Sequence, residues 1–337
     1  MLSFDFSTSP AGRRAALRGG GAALLLALAG LPAQAQTADW PQKPVQMVLS
    51  FPAAGATDIL ARAVGQKMSE ALGQSVVVEN RPGAGGNIGL LHAAKAAPDG
   101  HTVYMAAVTN AAIAAAAYPP QQAHLVKDFV PVAGVAIIPH MLVVPASLPA
   151  QSVGQLIGLL KKEPGRHNFA SQGAGTLSHL ESEVFKASAG LDIVHIPYKG
   201  SSQALPDLMA GSASLMFDSI PASMPHVKSG KLRVLAVASS KRIAMLPDVP
   251  TVAESGVKGF AADNVFGVVA PKGTPPAALA ALAKAVRFAM ESPELRQRMQ
   301  EQGVELRYTP ADEFGKLIGD EFRTWGRAVE QAKVRLE

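Results

Sequence analysis

Apolar positions along this chain change period in a regular alternation. Short apolar runs at residues 45–50, 75–79 and 102–107 predict strands, and the segments between them carry helical spacing. After Asp58, Leu60, Val64, Met68 and Leu72 recur every fourth residue as one buried stripe, and Gly73 closes that helix. A glycine-dense turn at 80–86 leads into a helix at 87–96, and Pro98-Asp99-Gly100 turns the chain into the third strand. The middle third keeps the rhythm, with helices at 152–162 and 177–189 and strands at 167–170, 193–197, 215–218 and 232–238. In the last third, Thr274-Pro275, Ser292-Pro293 and Thr309-Pro310 pair a capping residue with proline as helix starts, between apolar runs at 265–270 and 304–308. Strands alternating with helices are the signature of a parallel sheet covered on its faces.

Two apolar segments, 141–145 and 265–271, bracket a middle portion that has its own strand set. The economical arrangement is two α/β domains joined by two crossing strands. Domain 1 would use 36–140 plus 265–337 and domain 2 would use 141–264. Helix N-termini of each would face a shared cleft, where open α/β sheets bind their ligands.

The first 35 residues stand apart from this pattern. Arg13, Arg14 and Arg18 precede an apolar stretch at 19–31 that is too short to span a bilayer, and Ala33-Gln34-Ala35 is a small-residue cleavage signal. Export with cleavage after Ala35 is expected, by the Sec route rather than by the weak twin-arginine match. No later run is long and apolar enough to cross a membrane, so the expected mature protein is soluble and periplasmic. The 337 residues include no cysteine, which excludes disulfides, thiolate metal sites and a cysteine nucleophile. The formal charge is +5; the leader's three arginines and Asp5 account for +2, leaving +3 on scattered positions. That distribution argues against nucleic-acid binding.

Candidate chemistry lies in the loops after strands. In the loop 51–58, Phe51, Ala53, Ala54 and Gly55 precede Thr57 and Asp58 at a helix start, where unpartnered amides and the helix dipole favour an anion. Asp58 is equally well explained as a first-turn residue that stabilises its own helix. The loop 80–87 ends on Gly86 and Asn87, and Thr109 and Asn110 follow the third strand. From domain 2, the loop 171–179 brings Ser171, Gly175, Thr176 and His179, and the later strands end near Tyr198 and Asp218. Read as a dinucleotide fingerprint, 173–178 has Ser178 in place of the third glycine, with no acidic residue closing the next strand, so no nicotinamide cofactor is expected. No nucleophile elbow, zinc-site helix or phosphate loop occurs in the sequence.

These loops carry a resemblance that covers nearly the whole mature sequence. Trp40-Pro41-Gln42-Lys43-Pro44, the loop 51–58, Val77-Val78-Glu79-Asn80-Arg81-Pro82-Gly83-Ala84-Gly85-Gly86, the loop 171–179, His195-Ile196-Pro197-Tyr198-Lys199-Gly200 and Pro247-Asp248-Val249-Pro250-Thr251 stand in the order found in Bug-type substrate-binding proteins of tripartite tricarboxylate transporters. The resemblance implies a type II-like, two-domain periplasmic binding protein, each domain a mixed α/β sheet flanked by helices. It also implies a monomer without cofactor or metal, which holds a small carboxylate in its cleft and docks on a membrane permease of one large and one small subunit. Two departures touch the expected pocket: Pro52 is followed by Ala53-Ala54-Gly55 rather than by a second proline and two glycines, and a tryptophan usual near the second crossing strand is replaced around Val265-Phe266. A sensor docked on a membrane kinase, and a hydrolase using Ser178 or His179, are the alternatives.

Overall fold

The computed structural model describes residues 40–336; the expected leader and its cleavage point lie outside them. In chain order the elements are β1 (Val45–Leu49), α1 (Ala56–Leu72), β2 (Val76–Asn80), α2 (Asn87–Ala94), β3 (Thr102–Ala107), α3 (Val108–Ala117), α4 (Leu125–Asp128) and β4 (Phe129–Pro145). There follow α5 (Val153–Lys162), β5 (His167–Ser171), α6 (Leu177–Ala189), β6 (Ile193–Pro197), α7 (Ser201–Met209), β7 (Leu215–Ser219), α8 (Ile220–Lys228) and β8 (Leu232–Val237). The last elements are β9 (Asp263–Pro271), α9 (Pro276–Glu291), α10 (Pro293–Gln300), β10 (Glu305–Pro310) and α11 (Ala311–Ala332).

The 17-residue strand β4 belongs to two sheets. From Phe129 to Pro139 it pairs antiparallel with β9, which continues the order β2-β1-β3-β9, and β10 lies on its other edge. From His140 onward it pairs antiparallel with β7 and β8, and β7 leads on to β5 and β6. The exchange of partners between Pro139 and His140 divides the molecule into two lobes with a mixed sheet each. Parallel pairing holds within β2-β1-β3 and β6-β5-β7, whereas the strands at the seam are antiparallel.

Local chemistry accounts for the helices. Leu60, Val64 and Met68 of α1 are fully buried against β1, β3 and α9, and each such side chain contributes roughly 1.5–3 kcal/mol. Gly73 ends α1 at φ 65°. Ser292 caps α10 through the Leu295 amide at 3.3 Å, as its sequence signal predicts. The other two Thr-Pro signals act differently. Thr274 hydroxyl donates to the Pro271 carbonyl and Thr309 belongs to β10, so α9 and α11 start one residue past each proline's expected role, with proline itself as the boundary residue. An apolar cluster of Ile113, Ala117, Leu177, Leu180 and Val329 packs α11 against α3 of one lobe and α6 of the other.

Candidate functional site

The cleft between the lobes holds a small cavity lined by Phe51, Pro52 and Phe266 and by Gly55 and Gly200. Four helices begin at its edge. Ala56 and Thr57 open α1, Asn110 lies in the first turn of α3, Ser201 opens α7 and Ser219 precedes α8. None of these four helices has a side-chain cap on its N-terminus. Their dipole ends converge on a space whose lining includes no Asp, Glu, Lys or Arg, and the single ionisable lining residue is His140. Such a space favours negative charge and recognises it through neutral donors.

Lobe two organises its side of the cavity around Asp218. This buried carboxylate accepts from Gln172 Nε2 at 2.7 Å, Ser201 Oγ at 2.6 Å and Ser223 Oγ at 2.5 Å, which fixes the Gln172 and Ser201 side chains at the lining. Asp218 itself is not at the surface of the cavity.

Of the residues singled out in the sequence, Phe51, Gly55, Thr57 and Asn110 line this cavity. Phe51, Gly86 and Tyr198 line an adjoining space with Tyr118, Gly173 and Lys199. The rest lie outside both linings. Ala53 and Ala54 are exposed on the outer side of their loop, and Ala54 holds φ 63°. Asp58 accepts from Arg62 Nε at 2.9 Å, Asn80 Nδ2 at 2.9 Å and the Ala54 amide at 3.1 Å. Burial works against its charge, but these donors outweigh it and hold its carboxyl below the usual range. Asn87 is the half-buried first residue of α2. Thr109 hydroxyl donates to Glu321 at 2.5 Å and accepts from the Val265 amide.

The loop 171–179 is built inward. Ser171 Oγ bonds His195 Nε2 at 2.7 Å, Thr176 Oγ1 donates to the Gly173 carbonyl at 2.7 Å, and Gly175 at φ 74° makes room for the Tyr118 ring. His179 stacks on His195 with ring centres 4.0 Å apart, and its Nδ1 accepts from the Gly175 amide. The first amide of α6, Leu177 N–H, is taken by Asn110 from across the cleft at 2.7 Å. From lobe two, Gln172 of this loop lines the cavity together with Gly200, Ser201 and Ser219 at the starts of α7 and α8. Pro52, Gln172, Gly200, Ser219 and Phe266 belong to segments that the sequence places at the cleft, whereas Ala56, His140, Ser201 and Asn264 were not singled out as site residues. Gly200-Ser201 and Ser219 each follow a strand and open a helix, which is the local signal that marks them. His140 and Asn264 lie inside strands and carry no local signal.

A family profile described as "Tripartite tricarboxylate transporter family receptor" matches residues 60–334. The chain belongs to this receptor family. Among its relatives, the receptor is 36% identical over 315 residues to Protein BugT of Bordetella pertussis, covering 93% of this chain and 97% of that one. It is also 36% identical over 325 residues to a UPF0065 protein from the tcbD-tcbE intergenic region of a Pseudomonas species, covering 96% and 95%. The receptor's fold matches the periplasmic binding protein BugD at TM-score 0.85 and 32% identity, covering 88% of this chain and all of that one. It matches R. palustris Rpa4515, solved with adipate, at TM-score 0.83 and 34% identity, covering 88% and 99%.

Proposed function

We propose that this chain is a periplasmic solute-binding receptor that captures a small organic carboxylate between its lobes and delivers it to a membrane permease of one large and one small subunit. The observation that carries this reading is the convergence of four uncapped helix N-termini on a cavity lined by no carboxylate. Adipate in Rpa4515 and malate in MatC of Rhodopseudomonas palustris, 34% and 29% identical to this chain, are ligands of the same chemistry. Phe51, Gly55, Thr57 and Asn110 from one lobe, and Gln172, Gly200, Ser201 and Ser219 from the other, enclose the ligand. The carboxylate sits at the start of α1.

Binding is coupled to hinge closure. The hinge lies where β4 changes partners, between Pro139 and His140, and where β9 begins at Asp263. The lining polar residues are buried in this structure, so the lobes must part to admit a ligand and close to surround it. A hydrolytic role is disfavoured because the Ser178 hydroxyl donates to the Phe217 carbonyl and accepts from the Gln172 amide, whereas His179 faces His195.

Isothermal titration of the mature chain against mono-, di- and tricarboxylates, amino acids, sugars and cations tests the reading. A carboxylate with micromolar or tighter affinity is the expected result. Tight binding confined to cations or neutral sugars would overturn it.

A further inference from the structure

Where β4 passes from one sheet to the other, β8 leaves its edge at Val237, opposite Met141, and β10 joins it at Glu305, opposite Ile137. A groove opens there that shares no lining residue with the ligand cavity. The loop 239–245 forms one side and belongs to lobe two, where Ile243 and Met245 pack on its core. The end of α10 and the start of β10, from Arg296 to Arg307, form the other side and belong to lobe one. Pro139 and Asp263 of the crossing strands complete the lining.

Folding gathers four cations at this groove: Lys241 and Arg242 from the loop, Arg296 from α10 and Arg307 from β10. Arg242 Nε donates to Glu254 at 2.9 Å, whereas the side chains of Lys241, Arg296 and Arg307 have no partner among the described residues. Asp263 and Glu305 are the carboxyl groups of the lining. Burial opposes the charge of Asp263, against the pull of His140, and Glu305 is exposed. Arg307 stands in the irregularity of β10 between Leu306 and Thr309, where the register with β4 shifts, and such bulges re-aim a side chain. Among the described strands β10 pairs with β4 alone, which makes it an edge strand. Val304, Leu306, Ile243 and Met245 add apolar surface to the lining.

The two sides of the groove meet at Gly303. A Cβ there would lie 2.5 Å from Ile220 Cγ2 and 3.2 Å from Met245 Sδ, both of lobe two. Because the sides belong to different lobes, the width of the groove follows the lobe angle. Resting on the receptor reading, we infer that this groove is a docking surface for an acidic, extended peptide segment of the membrane permease, accepted at the closed lobe angle. Carboxylates of the segment pair with Lys241, Arg296 and Arg307, and its backbone lies along the edge strand β10. A flat anionic bilayer would meet the rim of such a groove but not its lining. A partner that binds one lobe angle tells a loaded receptor from an empty one, and by reciprocity it tightens the receptor's hold on the ligand.

Fluorescence anisotropy on the mature full chain tests this with a short labelled peptide of alternating Glu and Val, against the same peptide with Gln in place of Glu. The Glu peptide should bind tenfold or more tightly than the Gln peptide, and severalfold more tightly again once a carboxylate found by titration saturates the cleft. Arg296→Gln and Arg307→Gln should each weaken the Glu peptide about fivefold while ligand affinity without peptide is unchanged. Lys161→Gln removes the same charge from an exposed position of α5 and should have no effect. Equal affinities for the two peptides overturn the inference, as does equal loss in all three variants, or attachment to phosphatidylglycerol vesicles without binding of the Glu peptide. Peptide affinity that a bound carboxylate leaves unchanged overturns it too, with the receptor reading intact. If the chain binds no carboxylate, the receptor reading fails, whereas the peptide and variant comparisons still decide whether the groove takes an acidic segment.

Discussion

Asn110 Oδ1 accepts the Leu177 backbone N–H at 2.7 Å, so a side chain of one lobe caps a helix of the other. Thr176 occupies the cap position of that helix but commits its hydroxyl to the Gly173 carbonyl. Nearby, Tyr118 Oη donates to the Ala174 carbonyl at 3.1 Å, a second bond across the cleft. Both bonds exist only while the lobes are together. They stabilise the closed form by amounts that depend on no ligand atom.

Asn110→Ala removes the shared cap. Loss of a helix cap costs about 0.5–2 kcal/mol, which moves the closed-to-open ratio by roughly 2- to 30-fold. Small-angle scattering of the unliganded protein should show a larger radius of gyration than in the wild type. Tyr118→Phe should shift it in the same direction and by less. Identical scattering curves for all three proteins would show that the apolar cluster of α3, α6 and α11 alone sets the lobe angle.

Gly200→Ala should block closure. A Cβ there would lie 2.5 Å from Pro52 Cδ of the facing lobe, and Gly200 holds φ 147°. Gly211→Ala is the matched control, because Gly211 has φ 79° and nothing within 4 Å of an added Cβ. Backbone strain lowers the unfolding free energy of both variants by about 1–2 kcal/mol. Ligand affinity measured by titration should fall more than tenfold only in Gly200→Ala.

The exposed Ala54 in the left-handed region carries a cost that glycine lacks. Ala54→Gly should raise stability in urea unfolding by about 1 kcal/mol and leave ligand affinity unchanged. A clear change in affinity would put the ligand on the outer side of the 51–58 loop, away from the cavity that the inner side lines.

The stacked pair His179 and His195 makes the fold sensitive to acid. Burial, aided by Lys186, pushes the His179 pKa down to about 4; burial, His179 and Lys186 push that of His195 down to about 3. An unfolded chain takes up protons at these positions near pH 6.5, whereas the folded chain does not until the lower values are reached. Stability from this pair is therefore complete above about pH 6.5 and lost on acidification. The loss approaches about 1.4 kcal/mol per pH unit for each histidine until its folded pKa is passed. Urea unfolding at pH 7, 6 and 5 should show this slope, and His195→Gln should reduce it by about half.

The elements whose signals are local were legible in the sequence. β3, α6 and β6 occupy the spans their apolar periods predict, and Asp58 does what its place in a helix first turn suggests. The first half of β4 was not legible, because Pro131, Gly134 and Pro139 interrupt its apolar run and read as strand breakers. The strand tolerates them with shifts of register at Pro131–Ala133 and Gly134–Ala136. The same limit applies to the site. Strand-turn-helix loops announce Gly55, Thr57 and Ser219, but His140 and Asn264 become neighbours of the cavity only through the pairing of β4 with β7 and β9. In the loop 171–179 the strand-turn-helix signal could not show that the first helical amide is answered by Asn110 of the other lobe.

β4 hydrogen-bonds to β7, β8, β9 and β10, and it is shared by both sheets. Neither half of the molecule can thus be excised as a self-sufficient fragment. A cut at the seam would leave each piece with an open sheet margin of unsatisfied amides and carbonyls, a template for aggregation. Melting should accordingly occur in one calorimetric transition for the whole body, with neither half keeping its fold once the other is lost.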